Sequence, residues 1–375
     1  MRRIVFLTGT RADFGKLKPL IEVCLQAGDF EVHIFATGMH LQARYGSTVD
    51  EIHKCGYPNI FSYINHTSEE TMDRTLAKTI EGLSNFVAET RPDLIVVHGD
   101  RVEALAGAIV GALNNVLVAH IEGGEVSGTV DELIRHSVSK LSHVHFVAND
   151  SAQRRLVQMG EQEASIFVIG SPDVDVMMSK RLPTLDEAKQ RYAIPFQKYA
   201  MLMFHPVTTE FELMEGHACA LVTAVLESGD SFVVIYPNND RGSGAILAAY
   251  ERLRGHPQFR IYPSVRFEHF LTLLKHARYI VGNSSAGIRE APYYGVPCVN
   301  IGSRQNNRAQ HGDIHHCGHG QEQILGAIAH ARASCPPRLQ LFGDGSSAPR
   351  FLAILRSSAF WQINQQKQFR DLTVS

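Results

Sequence analysis

The chain has 375 residues, of which 44% are hydrophobic and 20% charged, and its formal net charge is −2. This length exceeds the size at which one hydrophobic core usually stops growing, so we expect two domains. The interleaved charges exclude the basic stripe that a nucleic-acid groove needs, and no apolar run reaches the roughly 20 residues that span a bilayer. The six cysteines lack the paired spacing of disulfide or zinc frameworks, so we expect reduced thiols and a cytoplasmic protein.

Short apolar runs, each followed by a longer helical pattern, recur from the first residues onward. In the first half they predict strands at Ile4 to Leu7, Val32 to Ala36, Leu94 to Val97, Val116 to Ala119, Val144 to Val147 and Ile166 to Ile169. Helical patterns between them include Thr71 to Glu89, Glu103 to Leu113 and Glu132 to Leu141. This alternation is typical of parallel strands that are covered on both faces.

The same alternation begins again after a polar stretch, residues 179–198. Its predicted strands are Ala200 to Phe204, Phe232 to Tyr236, Phe259 to Tyr262, Tyr279 to Val281 and Cys298 to Ile301. We therefore predict an α/β fold of two doubly wound, Rossmann-like domains, residues 1–175 and 176–350. A helix-compatible tail, residues 351–375, is predicted to pack back on the first domain.

Acidic residues follow two predicted strands of the first half. Asp100 and Glu122 each come directly after a buried strand, and a right-handed crossover makes those strands neighbours. Because ligands lie outside the carboxyl ends of such strands, both carboxylates would face one cleft, and we interpret them as functional. A third carboxylate, Asp131, begins a helical pattern, where N-capping and catalysis are equally consistent with the sequence.

The run Gly282 to Gly287 joins a strand to a helical segment of the second half. It would present hydroxyls and backbone N–H groups at a helix N-terminus, which suits a phosphate, although it is neither a Walker loop nor a G-x-G-x-x-G motif. Glu290, about two helical turns into the same element, could accept ribose hydroxyls or pair with Arg289. Three arginines near strand ends could neutralise a diphosphate: Arg11, Arg101 and Arg304.

The segment His311 to His319 concentrates His, Asp and Cys in one short stretch. Its spacing fits no familiar closed zinc site, and it follows the presumed nucleotide strand. We interpret it as a substrate-lining or solvated loop and predict no metal site.

Five motifs are specific in combination. They are TRAD at 10–13, HGDR at 98–101, the run HIEGGEVSGTVDELIRH at 120–136, HPVTT at 205–209 and NSSAGIRE at 283–290. Together they resemble the hydrolysing UDP-N-acetylglucosamine 2-epimerases of bacterial sialic-acid synthesis and the epimerase half of the animal bifunctional enzyme. The resemblance extends from Met1 to about Ser334. It implies a glycosyltransferase-B-like fold with the active site in the interdomain cleft, where the second domain holds UDP and the first domain's carboxylates face the sugar.

The resemblance also implies roles for individual residues. The catalytic acids are Asp100, Glu122 and Asp131, and the active-site histidine is His205. The residues implied to hold the nucleotide and its phosphates are Arg11, Asp13, Arg101, Asn238, Ser284, Ser285, Gly287, Glu290 and Arg304. No cofactor or metal is implied, and the expected assembly is a homodimer or homotetramer. Gly15 stands where the animal enzyme carries Ser, so a hydroxyl contact is not expected there.

The implied reaction begins with departure of UDP, because the hydrogen on sugar carbon 2 is not adjacent to a carbonyl and is too weakly acidic in the intact substrate. Elimination gives a 2-acetamidoglucal, and hydration with protonation of the opposite face gives N-acetylmannosamine. Other readings stay open: the same chemistry on a UDP- or GDP-linked 2,4-diacetamido sugar, a non-hydrolysing 2-epimerase, a glycosyltransferase, or a binding module for nucleotide sugars.

Overall fold

The computed structural model describes residues 1–65, 71–306, 308, 314–368 and 370–371, which form two compact units. The first unit comprises Met1–Glu125, Asp131–Ser179 and Phe342–Ser375, and the second comprises Val126–Val130 and Lys180–Leu341. The sequence predicts divisions after residues 175 and 350, whereas the structure places them after Ser179 and Leu341. None of the helices in the described ranges combines the length and apolarity required to cross a lipid bilayer.

The first unit is built on a parallel sheet of seven strands in the order β3-β2-β1-β4-β5-β6-β7. The strands are β1 (Arg2–Thr8), β2 (Phe30–Ala36), β3 (Ile60–Ser62), β4 (Leu94–His98), β5 (Leu117–Ile121), β6 (Val144–Val147) and β7 (Ile166–Val168). Residues Leu94 to Val97 of β4 are 0% exposed, which explains the unbroken apolar run. The edge strand β3 is short and Phe61 is 42% exposed, so the sequence gives no such run there.

Helices cover this sheet: α1 (Arg11–Ala27), α2 (Val49–Lys54), α3 (Met72–Thr90), α4 (Val102–Leu113), α5 (Val130–Leu141), α6 (Asp150–Gln158) and α7 (Pro172–Met177). Helix α4 packs closely on β4, since a Cβ at Gly107 would lie 2.5 Å from a methyl group of Val97. This close packing fixes the turn between β4 and α4, which carries Asp100 and Arg101.

The second unit repeats the architecture with a six-stranded parallel sheet in the order β10-β9-β8-β11-β12-β13. Its strands are β8 (Ala200–Met203), β9 (Phe232–Ile235), β10 (Phe259–Tyr262), β11 (Ile280–Gly282), β12 (Cys298–Ile301) and β13 (Ile314–Cys317). Its helices are α8 (Leu185–Arg191), α9 (Met214–Glu227), α10 (Ser243–Tyr250), α11 (Phe267–Lys275), α12 (Ala291–Tyr294) and α13 (Gln321–Ala333). The prediction of two doubly wound α/β domains is confirmed.

The prediction of a loop across His311 to His319 is wrong in part. Residues 314–317 form β13, which pairs with β12 from Cys298↔Ile314 to Ile301↔Cys317. Gly318 and His319 lie outside helices and strands, as predicted, and residues 311–313 lie outside the described residues. The error arose because β13 contains two histidines and no fully buried side chain, so it lacks the apolar signal of an interior strand.

The last helix, α14 (Ser347–Arg356), belongs to the first unit. Phe351 is 0% exposed, and its ring centroid lies 4.7 Å from that of Phe146 and 6.4 Å from that of Phe6. The ring centroid of Trp361, the one tryptophan of the sequence, lies 6.3 Å from that of Phe30. Its fluorescence therefore reports on the folding of the first unit.

Strand order reverses once in each sheet, between β1 and β4 in the first unit and between β8 and β11 in the second. In open α/β sheets ligands bind outside the carboxyl ends of the strands at such a reversal. The segments that follow these four strands are therefore where functional side chains are expected.

Candidate active site

Asp100 and Glu122 follow neighbouring strands whose ends are level, because β4 pairs with β5 up to His98↔Ile121. Glu122 is 5% exposed and has a φ of +67°, a left-handed conformation that is uncommon for a residue with a side chain. Its N–H donates to the carbonyl of Phe146 over 3.1 Å. Strain of this kind persists only where the surroundings enforce it, and it is frequent at functional sites.

One buried arginine contacts both strand ends. Arg135 of α5 is 1% exposed; one guanidinium nitrogen donates to Asp100 Oδ2 and the other donates to the Glu122 carbonyl over 3.1 Å. The nitrogen that donates to the Glu122 carbonyl also lies 3.7 Å from Glu125 Oε2. Asp131 lies one helical turn before Arg135, on the same face of α5. Helix α5 begins at Val130, so Asp131 is inside the first turn and not at the N-cap position.

Three side chains enclose the Glu122 carboxylate, and only one of them, His98, belongs to a motif visible in the sequence. Lys16 Nζ lies 3.4 Å from Oε1, Ser171 Oγ donates to Oε1 over 3.1 Å, and His98 Nε2 lies 3.5 Å from Oε2. Lys16 also lies 3.5 Å from Asp173 Oδ2. A nearby ammonium favours the ionised carboxylate, whereas burial opposes it.

The two histidines near Asp100 differ in role. His120 is fully buried; its Nε2 hydrogen-bonds the Gly99 carbonyl over 2.8 Å, and its Nδ1 lies 3.0 Å from Ser139 Oγ. Burial lowers the pKa of His120 to about 3, so the ring is neutral at pH 7. It holds Gly99, with a φ of +73°, in the turn that orients Asp100. His120 is therefore a positioning residue, and His98 is the one that faces Glu122.

Asp13 closes a capping box at the start of α1. Its Oδ2 accepts hydrogen bonds from the N–H groups of Gly9 over 2.7 Å and Thr10 over 3.3 Å. Burial raises the pKa of Asp13 to about 6, although His98 and the two N–H groups oppose the rise. The carboxyl thus holds a proton more tightly in the folded protein than in the unfolded chain.

The raised pKa of Asp13 predicts a pH dependence of stability. The stabilisation that the protonated Asp13 carboxyl contributes is fully present below about pH 4, near its ordinary pKa of 3.8. This stabilisation is lost as the pH rises through about 6, the pKa in the folded protein. We expect the urea midpoint of the native protein to fall from pH 4 to 7 relative to that of Asp13→Asn, which keeps the acceptor oxygen but does not titrate. The urea midpoint is measured by Trp361 fluorescence. The control variant is Asp186→Asn, which changes an exposed aspartate of the second unit. Parallel curves for native protein and Asp13→Asn would contradict the assignment.

The arginines of the first unit already have acidic neighbours. Arg11 donates to Glu51 Oε1 over 2.7 Å, and Arg101 Nε lies 3.5 Å from Glu103 Oε2. Each guanidinium carries five N–H donors in a planar fork, a geometry that suits a phosphate as well as a carboxylate.

In the second unit, Asn283 joins the two strand ends at the reversal of strand order. Its Oδ1 accepts from the His205 N–H over 2.6 Å, and its Nδ2 donates to the His205 carbonyl over 2.8 Å. The Asn238 N–H donates to His205 Nδ1 over 3.0 Å. Because Nδ1 is the acceptor, the neutral ring carries its proton on Nε2. The hydrogen-bond donor of the neutral His205 ring is therefore Nε2–H.

The run after β11 is not the long helix expected from the sequence. Ser285–Gly287 forms one 3₁₀ turn, and the Ser284 hydroxyl accepts from the Ala286 N–H over 3.3 Å. Pro292 cannot donate to a carbonyl one turn earlier, so the four-residue helix α12 starts only at Ala291. The placement of Glu290 two turns into a helix is therefore wrong; it precedes α12 and is 3% exposed.

Two glycines are required where this run begins and ends. A Cβ at Gly282, with a φ of +136°, would lie 1.9 Å from the Met203 carbonyl oxygen. A Cβ at Gly287 would lie 2.4 Å from the sulfur of buried Cys298. The backbone of the run can thus lie directly against β8 and β12.

Two side chains of the loop after β12 donate hydrogen bonds to the backbone carbonyl of Asn283. Arg304 donates to the Asn283 carbonyl over 3.3 Å, and Gln305 Nε2 donates to it over 2.8 Å. The Arg304 carbonyl accepts from the Gly128 N–H over 3.1 Å. Asn238, after β9, donates through its side chain to Asp240 Oδ2. The second unit therefore collects hydrogen-bond donors, among them the Arg304 guanidinium, at the carboxyl ends of its central strands.

The family model described as UDP-N-acetylglucosamine 2-epimerase matches residues 23–356. The UDP-N-acetylglucosamine 2-epimerase of Neisseria meningitidis serogroup B is 47% identical over 378 residues, 100% of both chains. The Legionella pneumophila UDP-N,N'-diacetylbacillosamine 2-epimerase (hydrolyzing) is 34% identical over 95% of this chain and 96% of the relative. The Methanocaldococcus jannaschii UDP-GlcNAc 2-epimerase, solved with UDP-GlcNAc and UDP, aligns with a TM-score of 0.81, 23% identity and coverage of 95% and 99%; it shows a shared glycosyltransferase-B-like fold.

Proposed function

The chain belongs to the UDP-N-acetylglucosamine 2-epimerase family, and from this premise we propose that it is a hydrolysing enzyme that converts UDP-N-acetylglucosamine into N-acetylmannosamine and UDP. The product would feed the synthesis of sialic-acid-type sugars. The observation that carries the proposal is the set of carboxylates at the strand reversal of the first unit, with Asp100 and Glu122 linked through Arg135.

The sugar is proposed to meet these carboxylates. Inversion at carbon 2 requires one group that removes a proton from one face of the ring and another that delivers a proton to the opposite face. Asp100, Glu122 and Asp131 are proposed to supply both groups. Each of two carboxylates has a cation beside it: Lys16 lies 3.4 Å from Glu122, and Arg135 donates to Asp100.

UDP is proposed to bind the second unit. His205 offers Nε2–H, Arg304 offers a cation, and the Ser284 and Ser285 hydroxyls lie in the turn beyond β11. Donors aimed at the diphosphate stabilise the charge that develops as the C1–O bond breaks. As that bond weakens, positive charge on carbon 1 acidifies the carbon 2 hydrogen, and its removal yields 2-acetamidoglucal. Water adds at carbon 1 while carbon 2 is protonated.

Two observations bear on the choice between related reactions. The Legionella pneumophila relative carries the word hydrolyzing in its name, which supports release of the free sugar. Its substrate name, a diacetamido sugar, keeps that class as a second candidate. We favour UDP-N-acetylglucosamine because identity to the Neisseria meningitidis relative is 47%, against 34% for the Legionella protein.

The test is NMR of the products formed from UDP-N-acetylglucosamine in heavy water. We expect free UDP and free N-acetylmannosamine that carries deuterium at carbon 2. A product that retains UDP would identify the non-hydrolysing reaction, and free sugar without deuterium at carbon 2 would exclude the elimination. A larger kcat/KM for the UDP-linked diacetamido sugar would transfer the assignment to that substrate.

A further inference from the structure

Three potential metal ligands from separate segments of the second unit lie together. Glu210 is in the 3₁₀ segment Thr208–Leu213 after β8, His217 is in the first turn of α9, and His319 precedes α13. One ligand atom of each lies within 4.8 Å of the other two. We propose that these residues form a Zn²⁺-binding site, an inference that does not depend on the proposed epimerase reaction.

The distances fit a shared ion better than direct hydrogen bonds. Glu210 Oε2 lies 3.8 Å from His217 Nδ1 and 3.6 Å from His319 Nε2, which is too far for a hydrogen bond. Within the described ranges, neither Glu210 Oε2 nor His217 Nδ1 has a hydrogen-bond partner, although both atoms are buried. Ligand atoms about 2.1 Å from a tetrahedral zinc are about 3.4 Å apart. The two distances from Glu210 Oε2 exceed this value by only a few tenths of an ångström, and the two rings must also reorient before all three atoms can share one ion.

The surroundings orient the carboxylate and leave room for His319. Ser303 Oγ donates to Glu210 Oε1 over 2.7 Å and so directs Oε2 toward the histidines. A Cβ at residue 302 would lie 2.4 Å from His319 Nε2, so Gly302 leaves space beside that nitrogen. Supporting hydrogen bonds of this kind are typical of metal ligands.

Two of the three proposed ligands are imidazoles, and a neutral imidazole binds a metal ion through the lone pair of one ring nitrogen. The rings stack 3.5 Å apart at an interplanar angle of 4°, so they must tilt for their lone pairs to converge on one ion. Two imidazoles and one carboxylate are a common zinc set, with water as the fourth ligand.

Calorimetric titration of the EDTA-treated, desalted full-length protein with ZnCl₂ tests the site. We expect one Zn²⁺ per chain, and a loss of affinity of about 100-fold or more in His217→Ala, His319→Ala and Glu210→Gln. Ser303→Ala keeps all three ligands and should weaken binding about 10-fold. Titration with CoCl₂ should give the visible absorption of tetrahedral Co²⁺, which the His217→Ala variant loses.

Two controls separate this site from adventitious binding. His33→Ala removes a histidine paired with Glu31 over 2.8 Å that has no second histidine beside it among the described contacts, and Cys335→Ser removes the exposed thiol. Both should bind Zn²⁺ as the native protein does. Equal binding by the native protein and all three ligand variants, or no binding by the native protein, would overturn the proposal. Circular dichroism of each metal-free variant checks that it is folded.

Discussion

Replacing Glu122 by Gln is expected to lower kcat by about 10²- to 10⁴-fold, the usual contribution of a group that transfers a proton in the transition state. Gln keeps the shape of the side chain and can still accept from the Ser171 hydroxyl, but it cannot gain or lose a proton at pH 7. UDP is proposed to bind the second unit, so its affinity should be unchanged in a calorimetric titration. Asp100→Asn and Asp131→Asn are expected to behave in the same way.

The control is Asp150→Asn, which changes an exposed aspartate at the start of α6, after a different strand of the same sheet. It should retain native kcat. Supplying 2-acetamidoglucal to the Glu122→Gln variant identifies the affected step: normal hydration assigns Glu122 to elimination, whereas lost hydration assigns it to both steps. Near-native turnover by Glu122→Gln, or loss of UDP binding in all three variants, would contradict the proposed role.

The interior of the fold could be predicted from the sequence because its strands are buried on both faces. Runs such as Leu94 to Val97 are unbroken apolar segments, and their order along the chain is enough to predict a doubly wound fold. The edge strands β3 and β13 could not be predicted in this way. They are three and four residues long and partly exposed, so nothing in their composition requires an apolar run.

The candidate site was predictable only where the chain itself marks it. Asp100 and Glu122 stand at strand ends, which are visible in the sequence. Lys16 and Ser171 are separated from Glu122 by 106 and 49 residues, and only the fold brings them to its carboxylate. Arg135 offered a weaker signal, because it lies one turn beyond Asp131 on the same face of a helix.

The proposed metal ligands could not be predicted either, because they too are far apart in the sequence. The sequence places His319 in one His-rich segment, and the spacing within that segment fits no metal site. In the structure its neighbours are Glu210 and His217, about 100 residues earlier in the chain. A search for ligands within one segment cannot find a set that is assembled from two loops and a helix.

Replacing Arg135 by Met is expected to lower the free energy of unfolding by about 3–5 kcal/mol, the usual effect of removing one partner from a buried ion pair. The guanidinium is 1% exposed and contacts Asp100, the Glu122 carbonyl and Glu125. Met fills part of the space but leaves these acceptors without their donor. Urea unfolding followed by Trp361 fluorescence measures the effect, since Trp361 and Arg135 are in the same unit.

A matched control and a double variant separate the ion pair from simple loss of packing. Arg356→Met removes an exposed pair with Asp29 in the same unit, with side-chain exposures of 51% and 46%, and should cost about 0.5 kcal/mol or less. Combining Arg135→Met with Asp100→Asn neutralises the carboxylate that has lost its cation. The double variant should therefore be more stable than the sum of the single effects by about 1–3 kcal/mol. Strictly additive losses would show that Arg135 acts by filling space, and its contact with Asp100 could then no longer explain how the two strand ends are held.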